Sequence, residues 1–162
     1  MHIFGTKHPL TIQRWYMDND LRVKETVNMY INIYPGIDNN ELIILKEKGN
    51  IIDEKNKGDI KVFVNIENNT EFKRKGLDLI YKKTITLKQA LTGFSFNIRH
   101  LSGKTYNINN SDGSLININY KKKIENMGMK RDDETGLLVI EFKIIFPEKL
   151  SKTQMEKIKE IL

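Results

Sequence analysis

The sequence predicts a mainly β protein: two β-domains in tandem, with short helices and a further helix at the C-terminal end. Three observations predict it. Apolar and polar residues alternate with period 2 along most of the chain, as in strands with one buried face. One pattern recurs about 78 residues later, too long a period for a solenoid repeat and close to the length of a small domain. Only the final segment carries an apolar stripe at full helical spacing.

The strands follow in order. Val27, Met29, Ile31 and Ile33 alternate with Asn28, Tyr30 and Asn32, and Pro35-Gly36 ends the run with a turn signal. Leu42-Ile43-Ile44-Leu45 is wholly apolar and reads as a buried strand, stopped by Gly49-Asn50. Ile60, Val62, Val64 and Ile66 alternate again, up to Asn68-Asn69. The second half repeats the plan. Leu79-Ile80-Tyr81 with Ile85 mark one strand; Phe94, Phe96 and Ile98 mark another, ending near Ser102-Gly103. Tyr106 and Ile108 follow, then a turn at Asp112-Gly113. Leu115, Ile116 and Ile118 read as a further strand, and Leu138, Ile140, Phe142 and Ile144 close the β part before Pro147.

Two segments predict helices. Thr86 and Gln89 form a capping box, in which each side chain satisfies an orphan backbone donor, and Gly93 supplies a left-handed C-cap one or two turns later. Ser151 and Gln154 form a second box, with Leu150 and Met155 as its hydrophobic staple. Met155, Ile158 and Leu162 then make an apolar stripe widened by Ile161, and Lys157 and Lys159 lie where cations suit the helix dipole. A helix this short is marginal alone in water, so the stripe packs either on its own domain or on the same helix of a second subunit.

The duplication aligns Gly58-Asp59-Ile60-Lys61-Val62-Phe63-Val64 with Gly136-Leu137-Leu138-Val139-Ile140-Glu141-Phe142, and Gly49 with Gly128. The polar stretch Glu67-Asn68-Asn69 marks the boundary. The expected units are a first β-domain over 1–68, a second over 69–148 and a terminal helix over 149–162.

Composition narrows the function. With 39% hydrophobic and 30% charged residues in 162, the chain can bury a core. It has no cysteine, which excludes disulfides, thiolate nucleophiles and thiolate zinc sites. His2, His8 and His100 are scattered, lack metal-ligand spacing and read as exposed or loop side chains. No apolar run reaches the ~18 residues of a membrane span, and Met1-His2-Ile3-Phe4-Gly5 lacks a signal-peptide layout, so a cytoplasmic location is expected. The net charge of +6 is mostly lysine spread along the chain, with Lys121-Lys122-Lys123 the sole triple. Nucleic-acid binding by a basic β-domain is therefore the weaker reading. There is no phosphate-cradling glycine loop and no Gly-x-Ser-x-Gly elbow. Asp132-Asp133-Glu134 reads as a solvated loop. No catalytic residue, metal site or cofactor is expected.

The segment Phe72-Lys73-Arg74-Lys75-Gly76-Leu77-Asp78-Leu79 resembles the Phe-x-Arg-x-Gly-x-Asp-Leu link between the two C-terminal domains of the DnaJ co-chaperone family. Other motifs agree in order: Pro35-Gly36, Gly58-Asp59, the set Leu87, Ala90, Leu91 and Gly93, and the run Phe146-Pro147, Leu150-Ser151 and Gln154 that leads into the last helix. The resemblance covers nearly the whole chain and points to the subclass without a zinc-finger insert.

It implies two DnaJ C-terminal-type β-sandwich domains and a C-terminal dimerisation helix that joins a V-shaped homodimer through Met155, Ile158, Ile161 and Leu162. It also implies a shallow apolar groove in the first domain for extended segments of unfolded clients, with Leu10, Ile12 and Val62 at groove positions. In some members that groove also takes the acidic C-terminal tail of a DnaK-type chaperone. The positions that clamp the tail correspond here to His8 and Thr11, with Lys7 and Lys24 only nearby, a departure that counts against tail capture. No counterpart of the J-domain is present, since His8-Pro9-Leu10 lacks the aspartate of the His-Pro-Asp triplet. The first strand is expected to be truncated, because the sequence opens almost at Phe4-Gly5. A bare dimerisation or decoy module of DnaJ-type proteins is a further reading.

Overall fold

The computed structural model describes residues 5–162, so the expectations that fall on His2 and Phe4 lie outside the described residues. The described residues open with a long hairpin of β1 (Thr6–Asp18) and β2 (Leu21–Ile33). Its turn is Asn19 and Asp20, at φ 45° and 63°, the positive values that a two-residue turn between twisted strands needs. Alternation puts Leu10, Ile12 and Tyr16 opposite Met29, Val27 and Val23 on one face. Arg14 and Glu25 meet on that same face in a 2.6 Å ion pair.

A second hairpin, β3 (Leu42–Leu45) with β4 (Ile60–Phe63), pairs Ile43 with Val62 and Leu45 with Ile60, all half-buried. Leu42, Ile44 and Phe63 are exposed. The apolar run 42–45 is therefore a strand covered on one side, not a buried one, because this half holds two small sheets and, among the described residues, the outer face of β3 is open. The alternation beyond Phe63 does not extend β4: Val64 instead bonds the backbone of Asn40 and Glu41, and Ile66 N–H donates to the Asn39 side chain.

The second half holds the buried core. Its elements are β5 (Phe72–Lys75), β6 (Asp78–Thr86), α1 (Leu87–Thr92), β7 (Ser95–Arg99), β8 (Thr105–Asn109), β9 (Lys121–Ile124), β10 (Lys130–Arg131), β11 (Glu134–Thr135) and β12 (Leu138–Ile145). One sheet runs β5-β6-β12-β9, with β6 and β12 parallel. Leu79, Leu138 and Ile140 are wholly buried on its inner face, packed with Ile98 and Ile108 of the β7–β8 hairpin, Ala90 of α1, and Met129. α2 (Lys152–Ile161) follows with no buried residue. Both capping boxes form as the spacing predicts, at Thr86 with Gln89 and at Ser151 with Gln154.

Three local expectations are corrected. Residues 115–118 are not a strand: Ile116 is buried and its N–H donates to Ala90 O at 3.1 Å, whereas Leu115 and Ile118 are exposed. The Asn117 side chain accepts from Asn119 N–H at 2.9 Å and turns the chain there. Gly93 caps α1, but at φ 92° and ψ 164°, outside the left-handed helical region. A side chain there would meet Asn110 O at 2.3 Å, so the position excludes any Cβ. His100 is buried, bridging Ser102 Oγ at 2.9 Å and Met127 O at 3.0 Å among Phe72 and Tyr106.

The duplicated glycines recur as one backbone device. Gly49 N–H donates to Gly58 O at 2.7 Å and Gly58 N–H to Asn50 O at 2.8 Å. Gly128 N–H donates to Gly136 O at 2.8 Å and Gly136 N–H to Met129 O at 2.9 Å.

Candidate peptide-binding groove

A groove of about 640 Å³ opens between the inner face of the β1–β2 hairpin and the strand β4 with the residues after it. His8, Leu10, Ile31 and Ile33 form one wall; Val62, Phe63 and residues 64–67 form the other. Tyr34, Gly36 and Ile37 close one end, together with Arg74 and Met129 from the second half. Its apolar surface exists because the first half has little core. Of its described hydrophobic residues only Ile31 and Ile37 are buried, so most of the inward side chains of β1, β2 and β4 stay partly open to solvent.

Leu10 and Val62 line this groove. Ile12 stands on the same face of β1, one cross-strand pair further along opposite Val27, half-buried and beyond the lining. His8 is on the groove side, whereas Thr11 is on the opposite face, its hydroxyl donating to Asn28 Oδ1 at 2.8 Å. Lys7 and Lys24 share that opposite face and are exposed.

The hairpin also offers backbone. β1 uses its outer edge near the turn, where Ile51 bonds Trp15 and Met17. Among the described residues no strand pairs with the far edge of β2, so its outward N–H and C=O groups, at Thr26, Asn28 and Tyr30, stand ready for an added strand.

Sequence reasoning missed the groove's closed end. Arg74 donates from Nη1 to Ile37 O at 2.5 Å, from Nη2 to Gly36 O at 2.7 Å and Asp38 Oδ1 at 2.6 Å, and from Nε to Gly76 O at 2.8 Å. Arg131 holds Glu41 through two 2.9 Å bonds. The Asp38 N–H and then this guanidinium hold the Glu41 carboxyl below the usual carboxylate value. Gly36, at φ +69°, passes so close that a Cβ there would lie 2.6 Å from Lys130 O. A glycine is needed on both counts. Arg74→Lys keeps the charge but cannot serve three carbonyls and a carboxylate at once. It is expected to cost about 2 kcal/mol, read as a fall of roughly 4–8 °C in Tm by thermal melt.

The terminal helix presents Met155 at 43%, Ile158 at 41%, Ile161 at 80% and Leu162 at 87% exposure, an apolar stripe exposed among the described residues. No helix among the described residues is long and apolar enough to cross a membrane.

The fold and these motifs agree with what comparison finds. The DnaJ C terminal domain family matches residues 2–147. DnaJ homolog dnj-20 of Caenorhabditis elegans is 32% identical over 142 residues, which are 86% of this chain and 40% of that protein. Chaperone protein dnaJ 2 of Arabidopsis thaliana is 32% identical over 143 residues, 86% of this chain and 34% of that protein. Mitochondrial protein import protein MAS5 of Saccharomyces cerevisiae is 29% identical over 150 residues, 90% of this chain and 36% of that protein. The chain thus spans two fifths or less of the length of these relatives. It belongs to the DnaJ family and corresponds to the C-terminal region of its members.

Proposed function

We propose that this chain is a co-chaperone module that binds extended hydrophobic segments of unfolded polypeptides and holds them for a DnaK-type chaperone. The observation that carries the reading is an apolar groove walled in part by β1 and β2, with no strand paired to the far edge of β2 among the described residues. An extended segment gains main-chain hydrogen bonds from such an edge whatever its sequence, while alternate side chains enter apolar pockets and add loose selectivity. Leu10, Ile12 and Val62 are the proposed contact residues. Residues 1–68 act as the binding domain, 69–148 as its support and 149–162 as a dimerisation helix. Two weak sites on a homodimer engage one client with a combined affinity neither site has alone. The work asks for no catalysis and no cofactor.

The test is aggregation of a heat-denatured client followed by light scattering. Suppression at a near-stoichiometric ratio of dimer is expected, and Leu10→Ser with Ile12→Ser should reduce it at least several-fold while leaving the circular dichroism spectrum and Tm close to those of the parent. Full suppression by the folded double mutant would remove the groove assignment.

A further inference from the structure

The outer face of the four-stranded sheet is both uncovered and basic. Register fixes its layout. One row crosses β5, β6, β12 and β9 as Lys73, Ile80, Val139 and Lys123. The next row runs Lys82, Glu141 and Lys121. Lys75 and Lys143 extend the same face at either end. All six lysines are exposed, and Ile80 and Val139 between them are half-buried. Against these six lysines the strands set two carboxylates on the face, Asp78 and Glu141, so it stays net positive. The Asp78 carboxylate is engaged by Leu137 N–H at 2.8 Å, and Glu141 is held by Lys121 Nζ at 2.7 Å. That bond holds the Glu141 carboxyl below its usual value, with the nearby charges of Lys82 and Lys73 adding to it.

Sheets built wholly of parallel strands are ordinarily covered on both faces, and this mixed sheet holds one parallel pair at its centre. β6 and β12 are parallel, and their second face has no cover among the described residues. We propose that this face seats an amphipathic helix of a partner protein, apolar along one stripe and carrying carboxylates along both flanks. The lysines of β5 and β9 stand three strand spacings apart, about 14 Å, and a helix with its side chains is about 10–12 Å across. The stripe meets Ile80 and Val139. One flank meets Lys73 and Lys75, the other Lys121 and Lys123. A nucleic-acid strand fits less well: the face offers no aromatic ring for base stacking, and Glu141 stands in the track a phosphate chain would follow. The α2 helix of a second copy fits less well too, since its Lys152, Lys157 and Lys159 outnumber Glu156 and Glu160 and would face lysines.

The experiment uses the full chain and a fluorescein-labelled helical peptide of about 18 residues, about 27 Å long, with a leucine stripe flanked by glutamates. Fluorescence anisotropy compares it with a scrambled peptide of the same composition. The striped peptide is expected to bind about tenfold more tightly. Lys73→Gln with Lys123→Gln should weaken it about tenfold, and Val139→Thr should weaken it several-fold. Lys46→Gln with Lys55→Gln removes equal charge elsewhere and should leave it unchanged. Circular dichroism confirms that each variant is folded. Equal binding of the two peptides, or no response to the Lys73/Lys123 pair, overturns the proposal. So does retention of phosphatidylserine vesicles or poly-uridine RNA by a chain that ignores the striped peptide.

Discussion

Gly136→Ala is expected to cost about 3 kcal/mol or more, whereas Gly58→Ala, at the corresponding position of the first half, should stay within about 0.5 kcal/mol of the parent. The two glycines make the same backbone bonds in the same order. Their surroundings differ. A Cβ on Gly136 would lie 2.2 Å from Leu77 O and 2.3 Å from Leu77 C, both rigid backbone atoms at the β5–β6 turn. A Cβ on Gly58 meets nothing nearer than 3.6 Å. Neither residue has positive φ, so the contrast is one of space and not of backbone conformation. For a chain of this size the Gly136 variant should melt roughly 6–12 °C lower. Equal melting temperatures for the two variants would show that the second half can relax around its turn.

Ile158→Asp is expected to convert the proposed dimer to monomers, read as a halving of mass by multi-angle light scattering at micromolar concentration. The stripe Met155, Ile158, Ile161 and Leu162 is open to solvent along its whole length, and a ten-residue helix with no tertiary contact is marginal. In the proposed dimer a second chain covers it. A carboxylate at Ile158 would be desolvated at the centre of that contact without a partner. The folded core of residues 72–145 shares no packing with α2, so Tm should change little while client suppression falls through lost avidity. A monomeric parent protein would contradict the dimer outright.

Much of the fold was legible because its signals are local. Each capping box names its own donors within four residues, and Val27 to Ile33 reads as a strand because every second side chain faces inward. The motif Phe72 to Leu79 is also explained residue by residue. Phe72 and Leu79 are core, Arg74 clamps the junction, Gly76 turns the hairpin at φ 59° and Asp78 caps Leu137. What failed was non-local. The alternation at 115–118 could not reveal that Asn117 turns the chain before a strand can pair. Nor could Leu42 to Leu45 reveal that their outer face lacks a cover. Leu10 and Val62 line the groove, but Arg74 closes its end by reaching back 37 and 38 residues to Ile37 and Gly36, and Met129 joins it from the second half, a juxtaposition no spacing encodes. The basic sheet face was hidden for the same reason: its lysines come from four strands and look dispersed until the strands are aligned.

The Arg74 clamp has a mechanical consequence. One guanidinium ties the loop 36–38 to the β5–β6 hairpin, and a second, Arg131, ties Glu41 to β10. Swinging the two halves apart would break several charge-assisted bonds at once, so the joint resists as a latch does and not as a spring. In the proposed dimer the jaws would then stand at a fixed separation. Clients would be sorted by the slack between their sticky segments as much as by the stickiness itself.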